Sequence, residues 1–430
     1  MIVQPLIGIL AIAAASDCDV RTHGAVADDG SADTLAIQAA IDACAATGGR
    51  VVVPMGDFTT GTLHLRDGTR LHLDEGARLV GSRDLADYPR LEKGGAPGHP
   101  PTPFRALVFA DRVTGVRITG AGTIDGQGDA FWDRDFYASG LARPTTERPY
   151  PWIVFADCSD VSVEDIILTN SPSYHLRFER CDGVRVRGIT IAHDFRSPNT
   201  DGINMSDTSN VHISGCRIST GDDAIAITSS RRDVSNIRVE HCALESDDAA
   251  VKIGPRTAFT VSDVVASDLT VTRTRYGLAI FMADGGTVRD VAFRDISIAT
   301  GSRHPRDYPI FVDIDRRSPD DPLGRIEDVR FERIAIRSSG NMLIAGQPDA
   351  PIRRLTLSDI GFAGGGAIDL TRHAGKPRGN VTFGKGAGTR DYSNIDADLV
   401  AAHVEGLRIE RLVNDGASGR QPIARIDANE

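Results

Sequence analysis

Val211-His212-Ile213-Ser214-Gly215-Cys216 is one copy of a pattern that recurs along most of the chain. The order is a β-branched or aliphatic residue, a polar one, an apolar one, two polar residues and a further apolar one. It returns in VSVEDI (161–166), VRVRGI (184–189), IRVEHC (237–242), VAFRDI (291–296), VRFERI (329–334) and LTLSDI (355–360). Alternation with period two marks strands with one buried face. The register residues are Leu71, Val116, Val161, Val184, Val211, Ile237, Val264, Val291, Val329 and Leu355. From Val161 onward they recur every 23 to 27 residues, with one interval of 38. A period of this size, carried by strands, predicts a solenoid, and hence an all-β, single-domain β-helix. Asp, Asn or Gly usually precedes the register residue, where a coil must turn. The 45-residue intervals on either side of Val116 predict insertions in turns. A β-sandwich also has regular short strands, but it does not explain the recurring Val-x-Val-x-x-Ile register.

Ahead of the repeat, residues 33–44 carry apolar positions 37, 40, 41 and 44 at helical spacing. Asp33 is the expected N-cap, Gly48-Gly49 the stop, and Val51-Val52-Val53 a following strand. An open solenoid end exposes core and strand edges, so this short helix is expected to cap it. Beyond Leu355 the pattern weakens. Residues 370–395, rich in Gly, Arg and Lys, predict a long loop, and residues 404–412 a last strand. No linker marks a second domain, so residues 17–430 read as one unit.

The composition, with 41% hydrophobic and 25% charged residues, is that of a globular protein. Asp and Glu total 59 against 48 Lys and Arg, a net charge of -11, which argues against non-specific nucleic-acid binding. Residues 2–15 are apolar and end in Ala13-Ala14-Ala15. That predicts a signal peptide over residues 1–16 and a secreted or periplasmic protein; a buried first strand or cap helix is the alternative. No other segment is long and apolar enough to span a bilayer. In an oxidising compartment Cys18 and Cys44 are candidates to pair. Cys158, Cys181, Cys216 and Cys242 fall in strands and read as buried thiols, at a spacing unlike a zinc site.

Asn199-Thr200-Asp201 is followed twenty-one residues later by Gly221-Asp222-Asp223. Within the repeat these triplets fall on neighbouring coils, whose backbones are about 4.8 Å apart. Asp222 lies eleven residues after Val211 and Asp248 eleven after Ile237, so the two are expected to stack. Like-charge repulsion raises at least one pKa in such a group and leaves a protonated acid beside ionised ones. Cleaving an acetal needs that pair of states, a proton for the leaving oxygen and a base for water. Asp also closes turns, and clustered carboxylates also bind calcium.

The stretch 197–227, SPNTDGINMSDTSNVHISGCRISTGDDAIAI, holds both triplets. Together with LHLDEGARLVGSRDLADYP (71–89), GAGTIDGQGDAFW (120–132) and LTNSPSYHLRF (168–178) it resembles glycoside hydrolase family 28. That family comprises polygalacturonases and rhamnogalacturonan hydrolases, and the resemblance covers roughly residues 18 to 362. It implies a right-handed parallel β-helix that hydrolyses α-linked pectic glycans with inversion, without metal or cofactor. Carried over, Asp222 is the general acid, Asp201 and Asp223 activate water, and Asn199 shapes the site.

Two family motifs are altered. Asp248 stands where a G-H-G histidine is usual, and Ala279 and Phe281 stand where an R-I-K motif grips a uronate. Either Lys252, Arg256 or Arg275 substitutes for the cation, or the sugar bound there is neutral, which points to a rhamnose-containing or mixed glycan. The candidate substrate-binding residues are Asn199, Asp248, Lys252, Arg275, Tyr276 and Phe281. Lys252 points outward if Val251 and Ile253 point in, either solvated or touching substrate. His193 and Asp194 read as a polar turn, and Arg306-Asp307-Tyr308-Pro309 as an insertion able to wall a cleft. The expected partner is a carbohydrate chain and the expected state a monomer. A calcium-dependent lyase with an Arg or Lys base, and a glycan-binding β-helix without chemistry, are the alternatives.

Overall fold

Val161 pairs with Val184, Val184 with Val211, Val211 with Ile237 and Ile237 with Val264, always in parallel and one coil on. The series continues through Val291 and Val329 to Leu355. The computed structural model describes residues 16–92, 103–132, 147–195, 197–302, 307–364, 392, 395–416 and 418–426. In these residues the strands form parallel sheets wound into a right-handed β-helix. One expected register is wrong. Leu71 pairs with Ile118, not Val116, because period-two alternation looks the same after a slip of two residues.

Most coils have two left-handed corners around the register strand, and several have a third, as at Asp157, Arg180 and Asp207. The residue before the register position has positive φ at Gly115, Asp160, Gly183, Asn210, Asn236, Asp263, Asp290, Asp328 and Arg354. So does the residue four after it, at Asp165, Gly188, Gly215, His241, Asp268, Asp295, Arg333 and Asp359. Gly, Asn and Asp enter this region at the least cost, which is why they punctuate the repeat.

Between the corners, alternate side chains fill the bore of the helix. Phe155 stacks on Phe178 and Phe293 on Phe331, each with centroids 5.1 Å apart. Each buried Val, Ile or Leu contributes about 1.5–3 kcal/mol, and the stacking extends this core from coil to coil. The four cysteines expected as buried thiols lie there.

Helix Thr34–Thr47 covers the amino-terminal end with Ile37, Ala40, Ile41 and Cys44 inward. Gly48, at φ 76, closes it by donating to the Cys44 carbonyl. Asp33 stands at the N-cap position without capping; its Oδ1 accepts instead from the Val26 amide at 2.9 Å. A Cys18–Cys44 disulfide ties the helix to the first strand. At the other end, Val404–Glu405, Arg408–Ile409 and Leu412–Asn414 are three short strands of one coil, rather than a single one, and pair with Ile352–Gly364. Of the expected signal peptide, residues 1–16, all but Ser16 lies outside the described residues, as does nearly all of the expected loop 370–395. Among the described residues no helix is long and apolar enough to cross a membrane.

Candidate active site

One sheet carries the site. Its twelve strands run from Leu63–His64 to Gln421–Ile426. Residues that point away from the bore line up in rows across the coils. One row reads Val154, Arg177, Asn204, Ala226, Lys252, Ala279, Phe311, Leu343. Ile203 stands opposite Ile225, so Asp201, two residues earlier, faces Asp223. Ile225 stands opposite Val251, so Asp222 faces Asp248. The stacking read from the sequence is therefore present.

The two triplets hold each other. Asn199 has φ 52, a left-handed conformation that Asn tolerates. From there its Nδ2 donates to Asp222 Oδ2 at 3.3 Å. Thr200 Oγ1 accepts from the Gly221 amide at 3.2 Å. A Cβ on Gly221 would lie 2.4 Å from the Ser197 carbonyl oxygen, so the residue before Asp222 must be glycine. The Asp222 carbonyl accepts from Thr220 Oγ1 at 2.6 Å and Ser246 Oγ at 2.7 Å. The Asp201 carbonyl accepts from the amide of His175 at 2.8 Å, with its ring Nδ1 at 3.0 Å.

The charges are concentrated. Oxygens of Asp222, Asp223 and Asp248 lie within 4.8 Å of one another. Three acids this close would suit a cation, and the Lys252 ammonium supplies one. It forms an ion pair with Asp223 and meets Asp248 Oδ2 at 3.3 Å. Arg275 adds a second cation 3.6 Å from Asp248 Oδ1. Burial and then the charge of Asp222 push Asp201 up to about 8, against the pull of Lys252 and Asn204. Burial also drives Asp223 well above the usual carboxylate range, with Lys252 opposing. Burial alone would discharge Lys252, but Asp223 and Asp248 outweigh it and keep the ammonium charged. Asp222 is the least buried of the four acids. Burial and mutual repulsion thus favour retention of a proton in the cluster, and Asp222 alone of the four acids is half-buried rather than buried.

Asn199, Asp201, Asp222, Asp223 and Asp248 all come together. Lys252 points out of the bore as alternation predicts, but it is neither solvated nor open to substrate. It is locked in a buried ion pair. Arg275 is likewise buried, its guanidinium over the Tyr276 ring at 4.6 Å. Arg256 is exposed. Tyr276 stacks on Tyr308 at 5.7 Å, so the late insertion does reach the site. Arg306 lies outside the described residues. His193 is a packing group rather than a simple polar turn. Its ring lies 5.3 Å from Trp132 and 5.1 Å from His175, Nε2 is 2.8 Å from the Ser171 carbonyl, and burial lowers its pKa to about 4.

Three contributors were not anticipated. Arg148 donates to the carbonyls of Pro172 at 2.6 Å and Pro198 at 2.8 Å, and to Asn199 Oδ1 at 3.0 Å. Arg177 donates to Asn204 Oδ1, and Asn204 Nδ2 donates to Asp201 Oδ2 at 2.7 Å. Arg177 and Asn204 are neighbours in one row, which only the register reveals. Arg148 has no motif around it.

The family model described as glycosyl hydrolases family 28 matches residues 45–375. The chain belongs to that family. Among curated proteins, this family 28 chain is similar to a probable polygalacturonase of Vitis vinifera, 30% identical over 301 residues, covering 64% of this chain and 60% of the relative. It is also similar to a polygalacturonase of Juniperus ashei, 36% identical over 124 residues, covering 29% of this chain and 24% of the relative. The chain thus spans less than two thirds of the length of either. Among solved structures, an exopolygalacturonase from Thermotoga maritima shares the fold with a TM-score of 0.72 at 20% identity, over 93% of this chain and 92% of that one. The family 28 match contains Asn199, Asp201, Asp222, Asp223 and Asp248.

Proposed function

We propose that the chain is a glycosidase that hydrolyses α-linked pectic polysaccharide or oligosaccharide by a single, inverting displacement. Asp222 is the general acid, and Asp201 with Asp223 activates the attacking water. The observation that carries this reading is the meeting of three aspartates from two adjacent coils on one outer face. One of them is half-buried, and two are buried with raised pKa values. Hydrolysis of an acetal needs a held proton and a carboxylate to take one from water. In this reading the proton that the cluster retains reaches the leaving oxygen through Asp222. Asn199, pinned by Arg148, orients Asp222; Asn204, held by Arg177, orients Asp201. No metal or cofactor enters the scheme.

The lyase alternative needs an unpaired Arg or Lys as base. Lys252 and Arg275, the cations that touch Asp223 and Asp248, are both buried in ion pairs, and Arg148 and Arg177 spend donors on Pro172, Pro198, Asn199 and Asn204, which favours hydrolysis. The test is product analysis on polygalacturonate and rhamnogalacturonan, wild type beside Asp222→Asn. New reducing ends that vanish in the variant support hydrolysis. Unsaturated, ultraviolet-absorbing ends that vanish with chelator would replace it by a lyase. Binding without turnover in either protein would replace it by a glycan-binding role. We also propose that the chain works outside the cytoplasm, since residues 2–15 read as a leader and Cys18 is bonded to Cys44.

A further inference from the structure

Two inserted segments meet ahead of the acids. The first, between Leu71 and Val116, returns on itself where Leu91 and Phe104 bridge in antiparallel. The second, between Val116 and Val161, brings up the strap Glu147-Arg148-Pro149-Tyr150. Arg105 of the first segment grips this strap at both ends. Its carbonyl accepts from the Tyr150 amide at 2.8 Å, and its guanidinium lies 3.2 Å from Glu147 Oε2. Arg90 takes the other oxygen, Glu147 Oε1, at 2.7 Å. The Arg105 guanidinium also donates to the Tyr88 carbonyl, and its side chain is only 19% exposed. Arg148 lies between the ends that Arg105 holds.

From that position Arg148 crosses to later coils, to the carbonyls of Pro172 and Pro198 and to Asn199 Oδ1. Ser173 Oγ donates to the Pro149 carbonyl at 2.8 Å and ties down the same strap. The contact with Asn199 has a direction. A side-chain amide accepts through its oxygen and donates through its nitrogen. With Oδ1 taken by Arg148, Nδ2 is the atom that faces Asp222 Oδ2. An amide released from Arg148 could turn over and would then withdraw that donor.

We propose that Arg105 is a positioning residue for Asp222, acting through Glu147, Arg148 and Asn199. The assignment rests on the hydrolase reading above and names what holds its general acid in place. An N–H donated to a carboxylate favours the charged form, and so does a nearby guanidinium. Loosening the strap weakens both at Asp222, so the acid should keep its proton to higher pH. Asp222 is also faced by Asp201, Asp223, Asp248, Lys252 and Tyr174, and substitutions in the strap leave all of these in place.

The experiment measures kcat and KM against pH on whichever of polygalacturonate and rhamnogalacturonan wild type cleaves, in wild type, Arg105→Ala, Arg105→Lys and Glu147→Gln. Arg105→Ala and Glu147→Gln should each lower kcat by roughly tenfold, the scale of one hydrogen bond, with KM little changed. The alkaline fall of kcat should move to higher pH in both. Arg105→Lys keeps a cation for Glu147 and the same backbone carbonyl, so it should recover most of kcat. An unchanged kcat and pH profile in Arg105→Ala, a loss confined to KM, or a lysine variant as weak as the alanine one would overturn the relay. If Arg105→Ala does not fold, Glu147→Gln decides alone, since Glu147 is exposed. Removing the Glu147 charge by itself would move the alkaline limb to lower pH, so the sign separates a positional link from a plain field effect. If wild type cleaves neither polymer, the hydrolase reading fails separately. Carbon-13 resonance titration of the Asp222 carboxyl then decides, with a higher midpoint in Glu147→Gln supporting the relay and an equal or lower one overturning it.

Discussion

Lys252 is ion-paired to Asp223 across one strand spacing, and the same ammonium reaches Asp248. A buried ion pair that loses one member leaves the other uncompensated, at a cost of about 3–5 kcal/mol. Lys252→Met should lower unfolding free energy by that order in a denaturant titration. It should also lower kcat by about a hundredfold, because Asp223 loses the charge that favours its ionised form. Raising the pH should restore part of that kcat. A flat pH response in Lys252→Met would separate Lys252 from the chemistry.

Asp222→Asn removes the donor while keeping the shape. With Asn199 still able to hold the side chain, kcat should fall by about 10²–10⁴-fold with KM little changed. Nuclear magnetic resonance of the first-formed anomer checks the stereochemistry in wild type. Inversion is expected, and retention would mean that one acid acts as a nucleophile. The 4.8 Å clustering of Asp222 and Asp223 makes that measurement decisive, because inverting pairs usually stand about 6.5–9.5 Å apart.

Asp201 gives a stability test with a definite sign. Its folded pKa, about 8, lies above the ordinary carboxylate value of 3.8. Between those values the folded state binds more protons than the unfolded one, so stability falls as pH rises through this window. Asp201→Asn removes that dependence. The variant should gain about 0.5–2 kcal/mol near pH 8 and much less near pH 4, measured by denaturant unfolding, while losing activity.

The Cys18–Cys44 bond closes a loop with a sequence separation of 26. Cys18→Ser should cost about 2–4 kcal/mol, concentrated at the capping helix. Amide hydrogen exchange should show faster opening over residues 34–47 than over Val211–Ile237. Equal protection in both proteins would remove the disulfide from the account.

Much of the coil was legible because its cause is local. Corners need left-handed residues and strands need alternation, so Asp160-Val161 or Asn210-Val211 announces itself. Leu71 was misplaced because alternation has period two and the 45-residue insert hides which pair is meant. Catalytic candidates were readable where two triplets constrain each other, as Gly221 and Thr200 do. The role of Lys252 was not, since its partner Asp223 lies one coil earlier and only the fold brings the two together. Arg177 and Asn204 were hidden for the same reason. Arg148 reaches the site from the segment ahead of the strand Ile153–Ala156, and nothing in its neighbours' chemistry marks it.

The paired left-handed corners make every coil nearly interchangeable in the backbone, while the outward rows differ from one coil to the next. On the proposed hydrolase reading, recognition along a glycan would be written in whole coils of about 4.8 Å. Duplicating or deleting one would move the outward rows on one side of it relative to the acids by a fixed step. The molecule is built like a ruler whose markings can be reordered without recutting the wood.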